Sequence, residues 1–159
     1  FNFTNTVYPK TRVQTTLAKQ LALYVVIYSP LQMASDLPEN YENNPAFQFI
    51  EDVPVDWAET IILGGKIGDY VVTARKDKNS NNWFVGAITD ENSRELNVKF
   101  DFLTKGKKYK MKIYKDTIAT NWKNNPYSIE ISDKIVDSKT SIDLYLAPGG
   151  GTAISLFEL

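Results

Sequence analysis

From about Glu59 to the C-terminus the apolar residues recur with a period of two, and this pattern most narrows the folds open to the chain. The stretch RELNVKFDFL sets Leu96, Val98, Phe100 and Phe102 on one face and Glu95, Asn97, Lys99 and Asp101 on the other. Successive side chains of a strand point to opposite faces, so such alternation marks a strand half in a core and half in water. KYKMKIYK repeats it, with Tyr109, Met111 and Ile113 inward and Lys108, Lys110 and Lys112 toward solvent. ETIILGG, GDYVVTARK, WFVGAITD, YSIEISDKIV, SIDLYLAP and TAISLFEL extend the series to about eight strands at roughly 10-residue spacing. A Gly-bearing turn, the polar cluster DKNSNN and the run PGGG punctuate them. One-sided strands at this spacing predict an antiparallel β-sandwich.

The first third of the chain reads differently. Val13, Leu17, Leu21, Tyr24, Val25 and Tyr28 recur at helical spacing, which predicts a helix over 11–28. Thr11 and Gln14 have capping-box spacing, and Pro30 stops the helix. From Leu21 to Tyr28 the pattern is apolar all round, as in a helix buried on more than one side. PLQMAS (30–35) is short and mostly apolar and predicts a strand covered on both faces. DLPENYENNP is a turn-rich loop, and PAFQFIED (45–52) predicts a short helix with Pro45 in its first turn. Such a helix-strand-helix unit looks like the closing stretch of a (β/α)8 barrel, and a barrel cannot be made from its last piece. The expected fold is therefore mainly β: a C-terminal antiparallel β-sandwich (53–159) preceded by the last helix-strand-helix elements of an incomplete (β/α)8 barrel (1–52). On this reading the chain is the C-terminal part of a larger protein, and Phe1 in place of Met suits a fragment or a processed chain.

Composition removes several classes of function. There is no histidine and no cysteine, so Ser-His-Asp and Cys-His chemistry, disulfides and the usual zinc sites cannot be assembled. A net charge of -1 gives no bias toward nucleic acid or anionic membrane. No apolar run approaches the roughly 20 residues a membrane-spanning helix needs. Chemistry within the chain would have to rest on carboxylates, Tyr or Lys.

The strings TTLAKQLALYVVIYSPLQMASDLPENY, DVPVDW, GDYVVTARK, WFVGAITDEN, YKMKIYKD and LAPGGGTAISL, taken in order, resemble the C-terminal part of glycoside hydrolase family 97, multidomain α-glucosidases and α-galactosidases that include the outer-membrane starch-utilisation type. The resemblance implies an N-terminal β-sandwich, a catalytic (β/α)8 barrel and a C-terminal β-sandwich. It implies hydrolysis of α-linked glycosides or oligosaccharides by paired carboxylates, often with a calcium ion. Those carboxylates and the calcium ligands are expected on earlier barrel strands, so none is placed on this chain, and no cofactor is expected in it. The implied partners are the rest of the barrel and the N-terminal domain, and the implied location is the periplasm or outer membrane of a Gram-negative bacterium.

Within the chain, Asp36 ends the expected strand 30–35 and reads either as a substrate-facing residue at the barrel mouth or as a loop acid capping the turn DLPEN. Glu39 and Glu42 share its loop. Glycosidase chemistry needs two carboxylates roughly 5–10 Å apart across a sugar, and acids in one loop do not supply two walls of a cleft. Asp77, Asn79 and Asn81 imitate the start of a calcium loop, but Asn82 and Ile88 stand where Gly and Glu are needed, so a hairpin turn is expected. Trp57, Trp83 and Trp122 are candidate sugar platforms; Trp83 begins an alternating strand and is expected in the core, while Trp122, in ATNWKNNP, is expected to be exposed. Asn2-Phe3-Thr4 matches a glycosylation sequon. The expected role is thus a non-catalytic C-terminal portion of an α-glycosidase whose sandwich supports the barrel. The alternative is a carbohydrate-binding module that tethers the enzyme to α-glucan, with Trp122 as its platform.

Overall fold

A computed structural model describes residues 13–34 and 38–159. Two helices, α1 (Leu17–Val26) and α2 (Phe47–Asp52), precede eight strands: β1 (Trp57–Lys66), β2 (Tyr70–Asp77), β3 (Trp83–Thr89), β4 (Arg94–Lys99), β5 (Lys108–Asp116), β6 (Ile129–Asp137), β7 (Ser141–Leu146) and β8 (Gly151–Glu158). Six strands form one antiparallel sheet in the order β1-β2-β3-β8-β5-β6, and β4 pairs with β7 in a separate ribbon. The sandwich is therefore unequal, a two-stranded ribbon laid on a six-stranded sheet.

Alternation sorts the strand residues between the two faces of the large sheet. Trp83, Val85 and Ala87 of β3, Tyr109, Met111 and Ile113 of β5, and Ile154 and Leu156 of β8 meet Val98, Leu144 and Leu146 from the ribbon in one core. Phe84, Tyr114 and Ala153, one position out of step, point to the opposite face and join a second core with Leu17, Leu21, Val25 and Phe49 of the helices. The molecule has three layers: ribbon, sheet, helices. Leu96 and Phe102 pack against the ribbon core although β4 ends at Lys99, because the turn after it keeps Phe100 fully buried. Lys108 and Lys110 are exposed as expected; Lys112 is half-buried, its Nζ 5.6 Å from the ring of Tyr114.

Two expectations need correction. The first helix is shorter than 11–28; its N-cap is Thr16, whose Oγ1 accepts from Lys19 N at 3.2 Å, and Thr11 lies outside the described residues. Residues 30–34 form no strand, and Leu31 and Met33 stand 73% and 66% exposed. An apolar strand exists only by hydrogen-bonding to neighbours, and none of the described strands pairs with this segment. The strand expected at ETIILGG is present and ends at Lys66, and the Gly-bearing turn expected after it contains Ile67 and Gly68 (φ +85°), with Asp69 N donating to Lys66 O at 3.0 Å.

Candidate functional site

The feature that organises this molecule is the seat of α1 on the sheet. The helix lies across β3 and β8 at two glycines. A Cβ at Gly86 would stand 2.6 Å from Ala22 O and 3.0 Å from Val25 Cβ; one at Gly151 would stand 2.7 Å from Lys19 Cα. Glycine inside a strand lets another backbone approach closely. Here two of them form a flat bed, and Ala18, Leu21, Ala22 and Val25 are wholly buried.

Both ends of α1 are tied to the sandwich. Helix ends leave N–H and C=O groups without partners inside the helix. At the N-terminus, Thr16 N donates to Gly149 O at 3.2 Å and Leu17 N to Pro126 O at 2.8 Å. Lys19 Nζ donates to Thr89 O at 2.6 Å. At the C-terminus, Arg75 of β2 donates from Nη2 to Val26 O at 3.4 Å. Its guanidinium lies between the rings of Tyr28 and Trp57, at 5.4 and 5.8 Å from their centroids, a cation–π arrangement.

Beneath the N-terminus of α1 sits Asp116, the last residue of β5. Its Oδ2 accepts from Ala147 N at 3.0 Å and Gly151 N at 2.8 Å, which fastens the turn between β7 and β8. Gly150 leaves the room this needs, since a Cβ there would collide with Asp116 Oδ2. Burial pushes the Asp116 carboxyl up to about 6, against the pull of the Thr16 hydroxyl, the two backbone N–H groups and the Lys19 charge. Burial likewise holds the Lys19 amine below its ordinary value, opposed by Asp90, Asp116 and Glu91.

The arrangement fastens; it does not supply a catalytic pair. Asp69 and Asp90 converge, but on one cation, with Arg94 Nη2 at 3.4 and 3.0 Å. Among the described residues no group of three or more Asp, Glu, His or Cys side chains is placed to hold a metal ion. No described helix is long and apolar enough to cross a membrane.

Asp36 and the sequon lie outside the described residues. Glu39 and Glu42 are exposed on the loop ahead of α2. Asp77 makes the expected hairpin turn, accepting from Asn79 N at 3.2 Å and Ser80 Oγ at 2.6 Å. Trp83 is buried in the ribbon core. Trp122 is half-buried where exposure was expected, because its indole lies against Gly149, whose Cβ would come within 2.7 Å of Cδ1; Lys123 Nζ stands 5.3 Å from the ring. Sequence reasoning missed Gly86, Gly151, Arg75 and Asp116. A signal existed for the glycines, which interrupt WFVGAITD and GGGTAISL where a side chain would otherwise pack. Nothing in the pattern marks Arg75 or Asp116, whose partners are distant in sequence.

Residues 56–157 match the family described as "Glycosyl-hydrolase 97 C-terminal, oligomerisation". The chain is 39% identical over 150 residues to a retaining α-galactosidase of Bacteroides thetaiotaomicron, covering 94% of this chain and 22% of that protein. It superposes with a TM-score of 0.90 and 51% identity on a glycoside hydrolase family 97 enzyme of Pseudoalteromonas sp. strain K8 in complex with panose, covering 93% of this chain and 23% of that one. A β-arabinopyranosidase superposes with a TM-score of 0.72 at 26% identity, over 91% of this chain and 22% of its own. The first of these structural likenesses extends well beyond residues 56–157 and takes in most of the segment ahead of β1. The chain spans between a fifth and a quarter of the length of these relatives. By the match over residues 56–157, it belongs to the C-terminal domain family of glycoside hydrolase family 97.

Proposed function

We propose that this chain is the non-catalytic C-terminal part of an enzyme that cleaves α-glycosidic bonds, an α-glucosidase or α-galactosidase. Its sandwich grips α1, one of the closing elements of the catalytic barrel, and carries the contact between enzyme copies. The observation behind this reading is the helix seat. α1, the element likened to the end of a barrel, is docked over Gly86 and Gly151 and tied at both termini, so the sandwich clamps the element ahead of it. The carboxylate pair that glycosidase chemistry needs is assigned to the part of the enzyme beyond this chain. The length of the relatives supports that assignment.

The test is truncation of the whole enzyme before β1. Without the sandwich, the sheet-facing side of α1 meets water, and each large apolar side chain so exposed costs about 1.5–3 kcal/mol. The expected result is an insoluble or strongly destabilised enzyme. A truncated enzyme that stays soluble and melts at the same temperature would refute the supporting role. Assays of the whole enzyme on α-glucosides and α-galactosides, with and without calcium, test the activity; inactivity on both classes would remove it.

A further inference from the structure

α1 covers β3 and β8 and reaches β2 at Arg75, and it leaves the tip end of the β1–β2 hairpin uncovered at Ile62 and Ile67. Between that hairpin and α1 runs a groove of about 530 Å³, lined by Ile62, Val71 and Ile88 with Lys19 on the helix side. Ile62 is 61% exposed, and Ile67, at the hairpin tip, is 103% exposed. Turn positions are ordinarily filled by Gly, Asn, Asp, Ser or Pro, and an isoleucine at a tip contributes nothing to the fold it leaves.

The two edges of the large sheet differ in the same sense. β6 carries Glu130, Asp133 and Lys134, charges of the kind that keep an edge from pairing with another chain. Residues 60–65 of β1, TIILGG, carry none.

We infer that the β1–β2 hairpin is the surface on which a second copy of this chain docks, Ile67 of each copy entering the groove beside α1 of the other. A knob beside a hole on one surface is the self-complementary patch that a two-fold contact requires. The acids of the rim are already paired within one copy, Asp69 with Lys66 at 2.8 Å and Asp69 and Asp90 with Arg94 at 3.4 and 3.0 Å, so a facing copy can close over them without having to supply their partners. The hairpin lies inside residues 56–157, the unit whose family description names oligomerisation. The other exposed apolar run, Ile27, Tyr28, Leu31 and Met33, lies outside it and is left to the barrel. The inference rests on the reading of that unit as the contact between copies.

Sedimentation equilibrium of the full chain and two variants tests it. Wild type is expected to dimerise. Ile67→Asp should weaken the dimer about 100-fold or more, because the substitution acts twice in a two-fold contact. Leu31→Asp should leave the dimer intact. Ile67 is fully exposed, so the variant's circular dichroism should match that of wild type. As a second readout, amide exchange along β1 and β2 of wild type should slow as concentration rises. If Ile67→Asp dimerises like wild type, or Leu31→Asp alone dissociates, the hairpin is not the interface while the oligomerisation reading stands. A wild-type chain that is monomeric at millimolar concentration overturns both.

Discussion

One face of the six-stranded sheet is covered by the β4–β7 ribbon and the other by α1 and α2, and the two covers hold by different means. Under the ribbon, Val, Leu, Ile and aromatic side chains interdigitate, with Trp83 against Phe102 at 4.8 Å between ring centroids. Under the helix, two glycines let the helix backbone come close to the sheet, and buried Thr16 and Arg75 tie the helix ends while buried Asp116 fastens the turn beneath. The ribbon side is held by area removed from water, which is insensitive to small shifts. The helix side is held by close backbone approach and by hydrogen bonds that fail if the helix moves. The difference teaches that this sandwich has its own core and, on its other face, a fitted socket.

The largest effect should come from breaking the dry side. Leu144 is 1% exposed in the ribbon core. Leu144→Ala removes its methyl groups and leaves a cavity, at a cost of about 2–5 kcal/mol. Urea unfolding should show one earlier transition in which strand and helix signals are lost together. Loss of helix signal ahead of strand signal in this variant would mean that the ribbon does not anchor the sheet.

Gly86→Val should open the socket alone. The added Cβ meets Ala22 O at 2.6 Å, a backbone atom that cannot swing away, so overpacking should cost about 3 kcal/mol. Amide exchange should accelerate across α1 while β7 and the ribbon keep their protection. Equal acceleration in both would show that helix and ribbon form one cooperative unit and would erase the contrast drawn above.

Asp116 gives the contrast a pH signature. Its carboxyl ordinarily titrates near 3.8 and is raised to about 6 in the fold. The folded state therefore binds the proton more tightly than the unfolded one. The stability this contributes is fully present below about 3.8 and is lost as pH rises through about 6, by about 2–3 kcal/mol in all. Other carboxylates run the opposite way: the bond from Lys78 to Asp56, the Asn92 N–H on Asp90 and the Lys139 N–H on Asp137 hold those groups below the usual range. The quantity to measure is therefore the difference between wild type and Asp116→Asn across pH 4–7. Asparagine can still accept from Ala147 N and Gly151 N, so the difference should be pH-dependent, with wild type losing ground as pH rises. A flat difference would place the Asp116 titration elsewhere.

How much of this was legible in the sequence follows the same division. Leu96, Val98, Phe100 and Phe102, or Tyr109, Met111 and Ile113, announce strands and their buried face by alternation alone, because the ribbon core asks only for apolar area. The order β1-β2-β3-β8-β5-β6 was not legible, since β8 enters the middle of the sheet through pairings with β3 and β5 that no local pattern encodes. The strand expected over 30–35 misled for a related reason: an apolar run says that something covers it, and does not say that strands stand beside it. The socket was legible only as two unexplained glycines. Asp116 and Arg75 were invisible, because an acid at a strand end and an arginine in a strand read as surface residues until the helix is seen to lie over them.

The smallest predicted effect separates capping from docking within the socket. Thr16 is fully buried and caps α1 through Oγ1, and it also lies against the carboxyl of Asp116. Thr16→Ser keeps the hydroxyl and should stay within about 0.5 kcal/mol of wild type, while Thr16→Ala loses the cap and should cost about 1 kcal/mol. If the hydroxyl serves only the helix, that cost is constant from pH 4 to 7. If it also donates to the Asp116 carboxylate, the cost of Thr16→Ala grows as pH rises through about 6 and is nearly abolished in an Asp116→Asn background, since coupled residues are non-additive. A double-mutant cycle at the two ends of that pH range reads the coupling directly. A cost that is equal in both backgrounds and at both pH values would reduce the socket to a helix resting on two glycines, with Asp116 serving only the turn beneath it.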